Sequence, residues 1–87
     1  MNVRLGAGVS YAATEYGSVL LDSGAGEYFQ LNPSGTVALR QLLDGRTPAE
    51  AAGALADEFD VDPAQAEQDV LTLVESLRTA RLVTVTS

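Results

Sequence analysis

The sequence predicts an α+β fold in which a three-stranded antiparallel sheet precedes three helices. Up to residue 32, apolar residues recur at the short, alternating spacing of strands. From Pro33 on, their spacing becomes that of amphipathic helices. This separation of strands from helices along the chain is typical of an α+β unit.

Three segments carry the strand pattern: Val9–Thr14, Ser18–Asp22 and Glu27–Leu31. The Gly-rich stretch 23–26 is typical of a turn, so the second and third strands are predicted to form a hairpin. Residues 2–8 contain two Gly residues, and we expect a flexible arm there.

Three helices follow the strands. The first is predicted over 36–43, capped by Asn32 or Ser34 and ended by Asp44-Gly45. The second, 47–59, begins with a capping residue, a Pro and then a Glu three residues after the cap. The third begins at Asp62 by the same logic and runs to about residue 80, and 82–85 close the chain as a short extended tail.

Length and composition limit what the chain can do. Its 87 residues suffice for one small domain, and we expect 1–87 to form a single one. With 12 acidic residues against 5 basic ones the net charge is −7, which disfavours nucleic-acid binding. The chain lacks His, Cys and Lys, so the usual general base and thiolate ligands are missing. No segment has the apolar run of a signal peptide or membrane span, and the expected location is the cytoplasm.

The neighbouring aromatic residues Tyr28 and Phe29 raise the question of what covers the third strand. Adjacent side chains of a strand point to opposite faces, so one face of a small domain buries only one of the two. We expect Phe29 and Leu31 to point into the core, with Tyr28 and Gln30 on the other face. No Pro or Lys in this strand prevents edge pairing.

The third helix carries more apolar surface than one contact requires, because Leu71 lies off the main stripe at 66, 70, 73, 74 and 77. One interpretation is that the helix contacts both the sheet and another helix. The other is that part of its apolar arc lines a groove. A free strand edge beside such a helix suits an incoming extended peptide, which would add as a further strand.

The order and spacing of these pieces resemble a known family over roughly residues 9–85. "SVLLD", "GEYFQLNPSG", "LRQLLDG" and "TPAEAAGALADEFDVDPAQAEQDVLTLVESLRTARLV" are similar to the PqqD-like domains called RiPP recognition elements. These domains bind the leader segments of precursor peptides of ribosomally made, modified natural products. One departure is that the family often has an aromatic residue in the first helix, where this chain has Val37, Ala38 and Leu39.

The resemblance implies a winged helix-turn-helix-like fold and a non-catalytic role in lasso peptide biosynthesis. The leader would add as a strand beside the third strand, with the third helix as the other wall, and a separate leader peptidase and cyclase would be the partner enzymes. From the composition we expect no cofactor, no metal, no catalytic residue, and no nucleic-acid or membrane partner. The implied peptide-binding residues are Glu27, Tyr28, Phe29, Gln30, Leu31, Asp69, Val70, Leu73, Val74 and Leu77.

Three alternatives to the peptide-binding function are a calcium site, a carrier protein and a winged-helix regulatory domain. Asp60 and Asp62 resemble half of a calcium loop, but no Gly and Glu follow at the required positions, so a solvated helix end is favoured. Asp22-Ser23 resembles the attachment pair of a small acidic carrier protein, but Gly24 follows where carriers have a Leu and a helix. A winged-helix regulatory domain that reads DNA would need bases on its third helix, and the first is Arg78.

Overall fold

The computed structural model describes residues Met1–Thr86. Five strands and three helices follow one another along the chain. Their bounds are β1 Asn2–Leu5, β2 Val9–Thr14, β3 Gly17–Asp22, β4 Glu27–Leu31, α1 Pro33–Leu43, α2 Pro48–Phe59, α3 Pro63–Thr79 and β5 Val83–Thr86. In this described part of the chain no helix is both long and apolar enough to cross a membrane.

The predicted antiparallel sheet is confirmed, in the order β2-β3-β4. Leu20 in β3 faces Tyr11 of β2 on one side and Phe29 of β4 on the other, so these three side chains form one row across the sheet. Leu20 is fully buried, and Tyr11 and Phe29 pack against the same core. The α+β class with three such strands and three helices is therefore as the sequence predicts.

The expected flexible arm at 2–8 is wrong, because β1 pairs with β5 in a two-stranded ribbon. Val3 faces Val85 in this ribbon, and its side chain is buried in the core. The chain then turns at Gly6, where an added Cβ atom would lie 2.8 Å from the carbonyl oxygen of Arg81. Only a residue without a side chain fits this close approach, and the extended tail predicted near the end of the chain is the partner strand of β1.

Each helix begins at a side-chain cap. Asn32 accepts a hydrogen bond from the amide of Gly35, so α1 begins three residues before the predicted start. Thr47 and Glu50 form the predicted capping box of α2, each side chain accepting from the other residue's backbone N–H. Asp62 caps α3 by accepting from the amide of Gln65. These local bonds satisfy amide groups that a helix start leaves without partners.

Helix α1 packs on the sheet, and the other two helices pack around α1. α2 packs against both α1 and α3, and α1 also contacts β3. A buried hydrogen bond of 2.7 Å between the hydroxyls of Ser18 and Thr36 joins β3 to α1. Every strand and helix except β2 contributes buried apolar residues to the core, and β4 contributes one. The core residues are Val3, Leu20, Leu31, Ala38, Leu39, Leu42, Ala51, Ala52, Leu55, Ala66, Val70, Val74, Leu77, Leu82 and Val83.

Candidate functional site: the free edge of β4 and the adjoining cavity

Strand β4 lies at the end of its sheet. Within Met1–Thr86, β3 is its only strand partner, so its other edge is open. Leu31 is 3% exposed and Phe29 is half-buried, whereas Tyr28 is 72% exposed and Gln30 is exposed too. The expected inward and outward faces of the strand are thus confirmed.

The backbone groups available at this edge follow from the register. Thr14 and Gly17 flank a two-residue turn and face each other, which makes them a hydrogen-bonded pair. Residues in an antiparallel ladder bond alternately to one neighbour and the other, so the odd-numbered residues of β4 bond to β3. The backbone N–H and C=O groups of Tyr28 and Gln30 therefore point to the open edge.

Helix α3 does not present all of the side chains expected at the wall of the groove. Val70, Val74 and Leu77 are almost completely buried in the core and are not accessible to a ligand. Leu73 is half-buried and packs partly against the core, and Asp69 is exposed. Of the five residues predicted on α3, Asp69 and Leu73 are the two with accessible side chains.

An apolar cavity of about 290 Å³ lies between the start of α1, the end of α2 and the first half of α3. Asn32, which directly follows β4, is one of its lining residues, so the cavity adjoins the end of the open edge. Its volume exceeds the roughly 150 Å³ that suffices for a benzene ring in a protein interior. The lining residues are Asn32, Ser34, Gly35, Ala38, Leu55, Phe59, Val61, Ala66, Asp69 and Leu73.

The sequence-predicted site and the cavity overlap only in part. Asp69 and Leu73 line the cavity, while the predicted strand residues 27–31 lie beside it along the open edge. Phe59 and Val61 were missed as site residues. A signal for them existed, because they are apolar residues on both sides of Asp60 in an otherwise acidic segment. Asp60 takes the left-handed conformation, with φ of 54°, at the end of α2.

The two carboxyl groups with shifted pKa values, Glu50 and Glu75, lie outside the cavity lining. The backbone N–H of Thr47 donates to Glu50 and lowers the pKa of that carboxyl. The hydrogen bond from Arg78 to Glu75 lowers the pKa of Glu75 and raises that of Arg78. Neither glutamate lines the cavity. Among the residues described, no group of three or more His, Cys, Asp or Glu side chains is placed to hold a metal ion.

The Asp22-Ser23 pair lies in the turn between β3 and β4. The Ser23 hydroxyl donates to the carbonyl of Gly8, and Asp22 accepts from the amides of Gly24 and Ala25. The serine to which a carrier protein attaches its cofactor begins a helix, whereas Ser23 stabilises a tight turn. The structure therefore gives the carrier reading no support.

Comparisons with known proteins agree with the fold. The family described as "Coenzyme PQQ synthesis protein D (PqqD)" matches residues 17–83. No curated protein matches the sequence. A structure titled "Lasso peptide synthetase B1 complexed with the leader peptide" is 40% identical with a TM-score of 0.90, covering 98% of this chain and all of that one.

Two further solved structures are similar over nearly the whole chain. TbiB1 in complex with the TbiA(beta) leader peptide is 26% identical, with a TM-score of 0.83 and coverage of 100% of this chain and 99% of that one. The PqqD part of Methylobacterium extorquens PqqCD, described as a functional, stand-alone RiPP recognition element, is 31% identical. Its TM-score is 0.75, with coverage of 95% of this chain and 88% of that one. The chain therefore belongs to the PqqD family, as its sequence resemblance to PqqD-like RiPP recognition elements predicts.

Proposed function

We propose that this protein is a non-catalytic adaptor that binds the leader segment of a precursor peptide in lasso peptide biosynthesis. The leader adds as a strand to the open edge of β4, in a groove whose other wall is α3, and is presented to a separate leader peptidase and cyclase. The observation that carries this proposal is the juxtaposition of an open strand edge with an apolar cavity at its end. Two of the most similar solved structures are complexes with leader peptides.

The site offers enough binding free energy for such a complex. The N–H and C=O groups of Tyr28 and Gln30 provide up to four ladder hydrogen bonds, each worth about 1 kcal/mol net. Apolar side chains of the leader that enter the cavity or cover the half-buried Phe29 contribute about 2 kcal/mol each. Ordering and association remove several kcal/mol. The remainder corresponds to a micromolar to nanomolar complex.

The remaining parts of the proposal follow from composition and packing. The chain has no His, Cys or Lys, and its acidic surface disfavours nucleic acids and anionic membranes. The adaptor would act in the cytoplasm, where precursor peptides are synthesised. We interpret the arrangement of β3, β4 and the three helices as winged helix-turn-helix-like.

The test is a fluorescence-polarisation titration with a labelled leader peptide from the precursor encoded beside this chain. The leader bound to the 40%-identical lasso peptide synthetase B1 serves as a second probe. We expect saturable binding at sub-micromolar concentration. Binding should be lost when any of the Tyr, Pro and Leu residues that the family resemblance implies as leader anchors is changed to Ala. A scrambled leader is the matched control. A flat titration up to high micromolar concentration with both leaders would refute the adaptor function.

A further inference from the structure

The apolar cavity beside β4 has a carboxylate among its lining groups. Asp69 is exposed on α3, one helical turn before Leu73, so both side chains lie on the same face. The amide Nε2 of Gln65 donates to one carboxylate oxygen of Asp69 over 3.1 Å, and Gln65 is the single side-chain partner of Asp69 among the residues described. The second carboxylate oxygen is therefore open to a ligand.

Within Met1–Thr86, no ion pair joins Asp69 to an Arg side chain. None of the five Arg residues lines the cavity. Two of them have other partners, since Arg46 pairs with Glu50 and Arg78 pairs with Glu75. The connection between α2 and α3 adds Asp60 and Asp62 close to the lining residue Val61. The potential at this end of the groove is negative, which favours a cationic group in the ligand.

The chemistry of the lining selects one kind of ligand side chain. Phe59 and Leu73 offer apolar surface, and the Asp69 carboxylate beside them is an acceptor suited to a charged hydrogen bond. A Lys or Arg side chain matches both, because its aliphatic stem packs on apolar groups while its charged head reaches a polar partner.

We infer that Asp69 selects leaders carrying a basic residue next to the apolar residue that fills the cavity. The stem of this Lys or Arg packs on Leu73, and its cationic head binds the Asp69 carboxylate. This inference rests on the proposed function, and it adds a charge criterion to a groove that otherwise selects by shape and apolar contact.

The test is a double-mutant cycle between Asp69→Asn and the leader. The amide in Asp69→Asn removes the charge but keeps an oxygen that accepts from Gln65. The probe is the labelled leader of the neighbouring precursor, in which each Lys or Arg is replaced by Gln, one peptide at a time. The matched control is Asp44→Asn, which removes the same charge at the opposite end of α1, roughly 18 Å along that helix from Asn32.

We expect Asp69→Asn to weaken binding roughly three- to fivefold at low salt, and Asp44→Asn to change it less than about twofold. The Asp69→Asn effect should vanish for the one leader variant that lacks the coupled base, and it should shrink as salt rises. Equal affinities of the Asp69→Asn and Asp44→Asn proteins, or coupling of Asp69 to a leader Tyr instead of a base, would overturn the inference and leave the adaptor function intact. An absence of saturable binding by the unmodified protein would overturn both.

Discussion

The sheet β2-β3-β4 has two open edges, and they differ in what lies beside them. Strand β4 ends at Leu31, and the next residue, Asn32, lines an apolar cavity between three helices. Strand β2 packs mainly against β3, and its last three residues, 12–14, are all exposed. Both edges offer unpaired backbone groups, but the lining of this cavity includes Asn32 after β4 and no residue of β2.

This difference shows that an open edge alone is not a peptide-binding site. Neither strand carries a Pro or Lys, so edge protection does not distinguish them. Ladder hydrogen bonds are the same for any extended peptide, and side-chain pockets supply the selectivity. If the adaptor function is right, damage at β4 and its cavity should weaken leader binding, whereas matched damage elsewhere should not.

The largest expected effect is that of Leu73→Asp. The new carboxylate would stand in the apolar wall beside Asp69, where both the buried charge and the repulsion between two carboxylates oppose binding. We expect leader affinity to fall roughly a hundredfold or more. The control is Leu71→Asp, a change at a 38% exposed position outside the cavity lining, which should leave the affinity nearly unchanged.

Leu73 also packs partly against the core, so folding must be checked by circular dichroism and thermal unfolding. Phe59→Ala provides a second variant from another helix of the same cavity, and we expect it to weaken binding about tenfold. Wild-type affinity in folded samples of both variants would show that the leader does not use the cavity.

The second prediction compares the two edges directly by Gln30→Pro and Ala13→Pro. The register implies that the N–H of each of these residues points to an open edge, so Pro removes a donor without breaking a bond to β3. We expect Gln30→Pro to weaken leader binding about tenfold and Ala13→Pro to have little effect. Equal losses, measured by polarisation on folded protein, would mean that the leader does not pair with β4. Phe29→Pro is unsuitable, because the N–H of Phe29 faces β3.

A structural feature is predictable here when the residues that determine it lie close together in the sequence. The three strands of the sheet and the helix caps are predicted correctly because alternation and capping are read within a few neighbouring residues. The ribbon of β1 and β5 joins the two ends of the chain, and residues 2–5 give no local sign of so distant a partner. Gly6 looked like a sign of flexibility, whereas the structure uses it for a close backbone contact.

The site is predictable to a similar extent. The alternation in β4 correctly places Leu31 in the core and Tyr28 outside. The apolar stripe of α3 identifies Val70, Val74 and Leu77 as packed residues but does not tell whether they face a core or a groove. The cavity depends on how the start of α1 and the end of α2 meet α3. Sequence periodicity does not contain that geometry.

The third prediction concerns the outer face of the sheet. Tyr28 stands across from Leu21 on β3, and both side chains are exposed. A strand added beside β4 would place its own outward side chains next to Tyr28, a contact worth up to about 1 kcal/mol. We expect Tyr28→Ser to weaken leader binding up to about fivefold. Tyr16→Ser, at a similarly exposed tyrosine in the β2–β3 turn, is the control and should have no effect.

The smallest expected effect is on stability. A change at the start of α2 tests whether this helix can be perturbed without altering either sheet edge. The folded pKa of Glu50 lies below its usual value of 4.5 because the carboxylate accepts from the Thr47 backbone N–H. A depressed carboxyl pKa contributes stability above pH 4.5 and loses it as the pH falls through the lowered value. The Glu50→Gln variant should therefore unfold at a slightly lower temperature than the wild type at neutral pH, and this difference in unfolding temperature should disappear in acid.

The leader affinity of Glu50→Gln at neutral pH should be unchanged, because the capping box begins α2 whereas Phe59, at its other end, lines the cavity. A reduced affinity in a fully folded Glu50→Gln protein would show instead that the cavity depends on the whole length of α2, and that the contrast between the two edges extends beyond the residues that adjoin them.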